Sequence, residues 1–216
     1  MKLVEILVFH LFTAFESLIR TPVQIEKLIL IISFILSLYV SCNDDDVPPA
    51  ENEEEIITDV ILSFDALGGV TTITARAVDP DGEGPESIQI LDDIVLEPNK
   101  TYHLKIALEN SVAGESITDE VAAEAAEHLI FLAWTDGLFS DPDGNGNIDN
   151  RADPINYLDQ DSDGLPLGLE TLWTTGEIGA GNFRVVLKHQ PGIKSSSSTV
   201  TQGETDVDLI WDLRVE

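Results

Sequence analysis

From Ile56 to the C-terminus, apolar and polar residues alternate in short runs, the period-two pattern of half-buried β-strands. Ile57 to Phe64 and Val70 to Ala77 flank Leu67-Gly68-Gly69, where the glycines supply the positive φ that a tight hairpin needs. Tyr102, Leu104, Ile106 and Leu108 fall on one face of a further run, opposite His103, Lys105 and Ala107, and Phe183 to Lys188 repeats the habit. The cleanest case is the last. In Asp206 to Val215 the positions 207, 209, 211, 213 and 215 are all apolar and four of the five between them are charged, so one face of this strand is expected in the core.

One stretch departs from that pattern. Ser116-Ile-Thr-Asp119 has the form of a helix cap, and Ile117, Val121, Ala125 and Leu129 recur every fourth residue through an alanine-rich run. The spacing predicts a helix of about three to four turns ending near His128, and Leu129 to Trp134 then reads either as helix continuation or as a buried strand. One helix among roughly five to eight short strands predicts a mainly β fold, an antiparallel β-sandwich with one helix in a connection; α+β is the alternative. Residues 57–216 are expected to form this single domain. Trp134 to Trp173, dense in Asp, Asn, Gly and Pro, reads as a long ordered loop, and structureless loops of that length are uncommon unless something organises them.

Upstream, the run from Leu28 to Val40 is wholly apolar but for two serines and a tyrosine; it follows Lys27 and ends at Ser41-Cys42, the layout of a signal peptide. It is short for a membrane span, which takes about 20 residues. Cys42 is the only cysteine, so no internal disulfide forms. Leu38-Tyr-Val-Ser-Cys42 resembles a bacterial lipoprotein processing site, in which the chain is cut before the cysteine and the cysteine takes the lipid. Tyr39 stands where that pattern prefers leucine, and a membrane-proximal free thiol is the ordinary alternative. Residues 42–56, beginning Cys-Asn-Asp-Asp-Asp, form a charged, proline-interrupted tether that has no apolar area to bury. The acids just after the cysteine resemble the surface-export signal of Bacteroidetes lipoproteins. Residues 27–41 are thus expected to be a lipoprotein signal peptide. Residues 1–26 add a second, mostly apolar segment, read as an N-terminal extension from a start codon set too early; a two-segment membrane anchor turning at Thr21-Pro22 is the competing reading.

Charge sharpens the address. The net charge is -29, with 40 acidic and 11 basic side chains, and residues 1–42 contribute nothing to it. The excess of acid belongs to the downstream part and disfavours nucleic acid as a partner. The expected location is the cell envelope, on the outer membrane, lipid-anchored on its surface or periplasmic side, with the bilayer as partner through that lipid.

Two acid strings in the long loop have calcium-loop spacing. Asp159, Asp161 and Asp163 occupy positions one, three and five, Gly164 position six and Glu170 position twelve, so that alternate carboxylates turn inward and a late glutamate closes the shell. Pro166 departs from the usual branched residue at position eight. Asp141, Asp143, Asn145 and Asp149 supply positions one, three, five and nine of a second string, with Ala152 in place of a closing acid. Both resemble the DxDxDG calcium loops of extracellular β-rich proteins, which implies structural calcium; a solvated Asx-turn loop is the alternative for each. A third cluster, Asp79-Pro-Asp-Gly-Glu-Gly-Pro85, reads as a turn.

Catalytic signals are sparse. Glu120, Glu124 and His128 lie at four-residue spacing with Glu127 beside them, a weaker alternative metal site in Glu124 and His128 that competes with an ordinary solvated helix face. His189 ends a strand and could meet His128 in space. There is no HExxH, no phosphate-binding glycine loop and no GxSxG elbow. Trp134, Phe139 and Trp173 flank the acid loop, either as recognition aromatics for a surface glycan or peptide or as apolar pins of the loop.

Taken together, Ser41-Cys42-Asn-Asp-Asp-Asp46, Val78-Asp-Pro-Asp-Gly-Glu-Gly-Pro85, Glu127-His128, Gly146-Asn-Ile-Asp-Asn-Arg151 and Asp206-Val-Asp-Leu209 resemble an uncharacterised family of small flavobacterial (Bacteroidetes) lipoproteins. The resemblance implies the lipid anchor and the envelope address and carries no activity. The expected role is a calcium-stabilised binding or structural module. A surface hydrolase of glycans or peptides is the alternative, recognisable by His128 or His189 converging with carboxylates in a cleft.

Overall fold

A computed structural model describes residues 55–82, 84, 87–149 and 153–216. Cys42, the signal peptide, nearly all of the tether and the N-terminal extension lie outside the described residues. In chain order the elements are β1 (Asp59–Ala66), β2 (Thr72–Val78), β3 (Gln89–Ile90), β4 (Ile94–Leu96), β5 (Thr101–Asn110), β6 (Glu115–Ser116), α1 (Ile117–Ala123), β7 (His128–Trp134), β8 (Phe139–Asp141), β9 (Glu170–Thr175), β10 (Gly179–His189) and β11 (Glu204–Val215).

The strands form two sheets. One runs β3-β2-β1-β5-β9-β8 with β6 added to β5; the other runs β4-β11-β10-β7. Every pairing is antiparallel except β4 with β11. Among the described residues the mainly β, sandwich-like fold with one helix agrees with the alternation in the sequence, and the strands outnumber the expectation because β3, β4, β6 and β8 are only two or three residues long. The β1–β2 hairpin turns at Gly68, whose φ of 77° is open to glycine at no steric cost. In β11 the apolar positions 207, 209, 211, 213 and 215 are all buried and the even-numbered residues 208, 210 and 212 between them are exposed, as the period-two pattern requires.

Side chains of both sheets meet in one core, with Val60, Leu62, Phe64, Leu104 and Ile106 from the first and Ile130, Leu132, Val185, Leu209 and Leu213 from the second. Each such burial contributes about 1.5–3 kcal/mol. Trp134, Phe139, Trp173 and Phe183 form a chain of edge-on and tilted ring contacts with centroids 4.7–6.1 Å apart. Trp134, Phe139 and Trp173 are therefore pins of the long loop: they are at most 4% exposed, which overturns the reading of them as recognition aromatics.

The helix is shorter than its periodicity suggests. Ser116 caps it, accepting from the Asp119 amide, but α1 ends at Ala123 after two turns. His128 to Trp134 leaves the helix because the run is apolar on both faces, and a strand buried on both sides can use all of it: β7 pairs along its whole length with β10. Leu129 and Phe131 pack with Val186 in a second small core on the far side of the sheet, under Ile148 and Val200.

Candidate metal centre

His128 opens β7 and His189 closes β10, and the antiparallel register sets them directly opposite each other. Residues directly opposite share a face. Both therefore extend the core-facing rows of Ile130, Leu132 and Trp134 on one strand and Val185 and Leu187 on the other. Their rings stack with centroids 4.6 Å apart and planes 12° from parallel, and both are buried, at 0% and 1% exposure. Beside them the β10–β11 ladder slips between Leu187 and Lys188, so that Asp206 is the extra residue of a bulge between Thr205 and Val207.

Three carboxylates approach this pair. Glu55 Oε1 lies 3.0 Å from His128 Nε2, with the Glu55 side chain only 7% exposed. Glu127 Oε2 lies 3.3 Å from His189 Nε2. Asp206 is close enough for its charge to act on Glu55 and His189; burial, then repulsion from Glu55, pushes its carboxyl up to about 6. On the other side of His128, Nδ1 lies 3.3 Å from the Glu124 carbonyl. With Nδ1–H donating to that carbonyl, Nε2 keeps its lone pair, the arrangement that orients a ligating histidine.

Despite the 3.0 Å approach, His128 Nε2 has no aligned hydrogen-bond partner, and Glu55 Oε2 and Asp206 Oδ2 are buried with none. Buried polar atoms are ordinarily paired, and unpaired carboxylate oxygens are costly. One ligand atom from each of Glu55, His128 and His189 falls within 4.8 Å of the other two, and this is the only such group of three or more metal-binding side chains among the described residues. Ligand atoms around a tetrahedral zinc stand about 3.4 Å apart, so a modest contraction would close the group on an ion. The cluster could thus chelate a metal. Without an ion, the same contacts serve ordinary histidine–carboxylate pairs.

The acid strings are arranged differently. Asp159 accepts from the backbone amides of Gly168, Leu169 and Glu170 at 2.8–3.2 Å, and its carboxyl lies above the usual value because burial outweighs those bonds. Asp161 Oδ1 accepts from the amides of Asp163 and Leu165, and Oδ2 pairs with Lys194 Nζ at 2.9 Å, both side chains being 2% exposed. Burial opposes the charge of Asp161, but Lys194 and the amides outweigh it and hold its carboxyl below the usual value. Asp163 is exposed, and Glu170 sits on β9 with its Oε2 2.7 Å from His103 Nε2. In the second string Asp141 accepts from Asn156 Nδ2 at 3.0 Å, Asp143 and Asp149 are exposed, and the Asn145 amide donates to Asp153 at 2.7 Å. Neither string gathers its carboxylates on one point. In the third cluster Asp79 Oδ1 accepts from the amides of Asp81 and Gly82, the turn that was expected.

Of the histidine site expected on a helix face, His128 stays but its setting changes: it lies on β7, and Glu124 reaches it through a backbone carbonyl, since α1 ends before either residue. Glu55 and Asp206 were invisible as site residues, one counted with the tether and the other with the polar face of the last strand. Comparisons with protein-family models, with curated proteins and with solved structures each give no match.

Proposed function

We propose that the protein is an envelope lipoprotein, anchored through Cys42, whose β-sandwich acts as a binding or structural module holding one divalent metal ion at Glu55, His128 and His189. The convergence of those three side chains carries the reading. Imidazole nitrogens with a carboxylate suit zinc and its neighbours, whereas calcium takes six to eight oxygens, so the ion favoured here is of the zinc class and not calcium. Burial of both imidazoles supports a structural ion over a hydrolytic one, because a substrate needs an open coordination position and a route to it. The anchor is supported by the residues around Cys42 alone.

The test is a competition titration of the full-length chain in detergent, with zinc against a chromophoric chelator. One equivalent is expected to bind, and H128A and H189A each to abolish it. Absence of binding, or binding unchanged in both variants, would reject the site. Mass spectrometry of the membrane fraction checks the anchor: a diacylglyceryl group on Cys42 with no peptide upstream is expected, and an uncleaved, unmodified Cys42 would reject it.

A further inference from the structure

Two of the three ligands come with the fold and the third does not. Pairing of β7 with β10 fixes His128 and His189, whereas Glu55 belongs to the segment leading into β1. Among the described residues, that segment's first backbone tie to the sheet is the Thr58 amide to the Glu109 carbonyl at 2.9 Å. Ile56, next to Glu55, is 37% exposed. Glu55 is thus a buried carboxylate on a segment with no ladder of its own, its Oε2 unpaired, and Asp206, near enough for the two charges to repel, carries a second buried and unpaired carboxylate oxygen. Lys188, whose charge also acts on Asp206, directs its ammonium to Thr205 Oγ1 at 2.6 Å. Two carboxylates drawn into one dry corner call for a positive charge between them.

We infer that a metal ion at this corner is a clasp: it fastens the segment leading into β1 to the β10–β11 hairpin through Glu55, and Asp206, which lies outside the 4.8 Å group of Glu55, His128 and His189, moves in as the fourth ligand when the ion binds. This rests on the metal reading above. The bulge has a purpose on this account. In regular alternation Asp206 would share the outward face of Asp208 and Asp212, and the slipped register frees it to turn toward His189. Two imidazoles and two carboxylates make a closed site, in which occupancy and docking of the lead segment are one event. The ion thus sets whether residues 55–57 are fastened to the sheets or free up to the first backbone tie at Thr58.

Hydrogen exchange of the full-length chain in detergent, followed by mass spectrometry with and without zinc, tests this. Zinc is expected to slow exchange in residues 55–58 at least about tenfold in the wild type. E55Q should lose that slowing while the His pair still takes up zinc more weakly and the β10–β11 peptides exchange as before. D206N should weaken zinc binding about 10- to 100-fold and, with cobalt as the probe, shift the visible bands as water replaces the carboxylate, whereas a distant Asp206 would leave them where they are. Zinc that binds without slowing residues 55–58, slowing that persists in E55Q, or cobalt bands identical in D206N and wild type would overturn the clasp and leave the metal site standing. No zinc binding at all would remove both.

Discussion

Two regions of this protein concentrate carboxylates, and they treat them in opposite ways. In the 141–170 loop the two central acids are spent on the chain itself: Asp159 collects three backbone amides, and Asp161 takes two more and the ammonium of Lys194, which also donates to the Ala125 carbonyl. The organiser that so long a loop requires is there, built from its own donors and one lysine. At the corner of the sandwich, Glu55 and Asp206 carry buried oxygens with no donor, beside two stacked imidazoles. Acid spacing in a sequence therefore says less about an ion than whether the backbone has already satisfied the acids.

The largest effect expected to test this contrast is metal-dependent stability. Zinc at about a thousand times its dissociation constant should add about 4 kcal/mol, roughly 10 °C in Tm for a domain of this size. H189A should remove that gain, and D163A and E170Q should leave it intact. Calcium at about 10 mM, well above the usual extracellular range, should give no rise. A calcium-dependent rise abolished by D163A would mean that the loop rearranges to bind the ion, and the contrast would fail.

The difference also explains what the sequence could reveal. Strand alternation was legible because burial of one face writes itself into every second residue, as in Val207 to Val215, and the cap at Ser116 was legible because it is local. The end of α1 was not, since the four-residue spacing through Leu129 also fits a strand buried on both sides, and only pairing with β10 decides between them. His128 and His189 stood out as the histidines that could meet. Their partners did not, because Glu55 and Asp206 sit among many acids of identical local appearance, and what singles them out is a bulge and a packing arrangement spanning 151 positions of chain.

Next in size is K194M. It leaves Asp161 charged and shielded from solvent, and should cost about 3 kcal/mol, the low end for breaking a buried pair because this one lies in the loop layer outside the main core. Urea midpoints measure it, and a loss under about 1 kcal/mol would show that the loop opens to hydrate Asp161. D159A should cost about 2 kcal/mol, since three backbone amides lose their acceptor and two of them, at Gly168 and Leu169, belong to buried residues. Neither change should alter zinc uptake at the corner.

The smallest effect is one of pH, and it separates the two aspartates within the loop. Asp161 has a folded value below its unfolded one, which is about 3.9. Its contribution is thus fully present above that unfolded value and is lost as pH falls through the folded value. Asp159 has a folded value above the unfolded one, so its contribution runs the other way and declines as pH rises from below about 3.9 through the folded value. In K194M the main partner holding Asp161 down is gone, and protonation relieves a buried charge instead of breaking a pair. The stability gap between wild type and K194M should therefore be widest above about pH 5 and narrow steadily as pH falls below about 4, with the difference between the two curves cancelling the titration of the other acids. If the curves run parallel down to about pH 2.5, Lys194 is not what holds Asp161 ionised, and the loop would have room for a different cation after all.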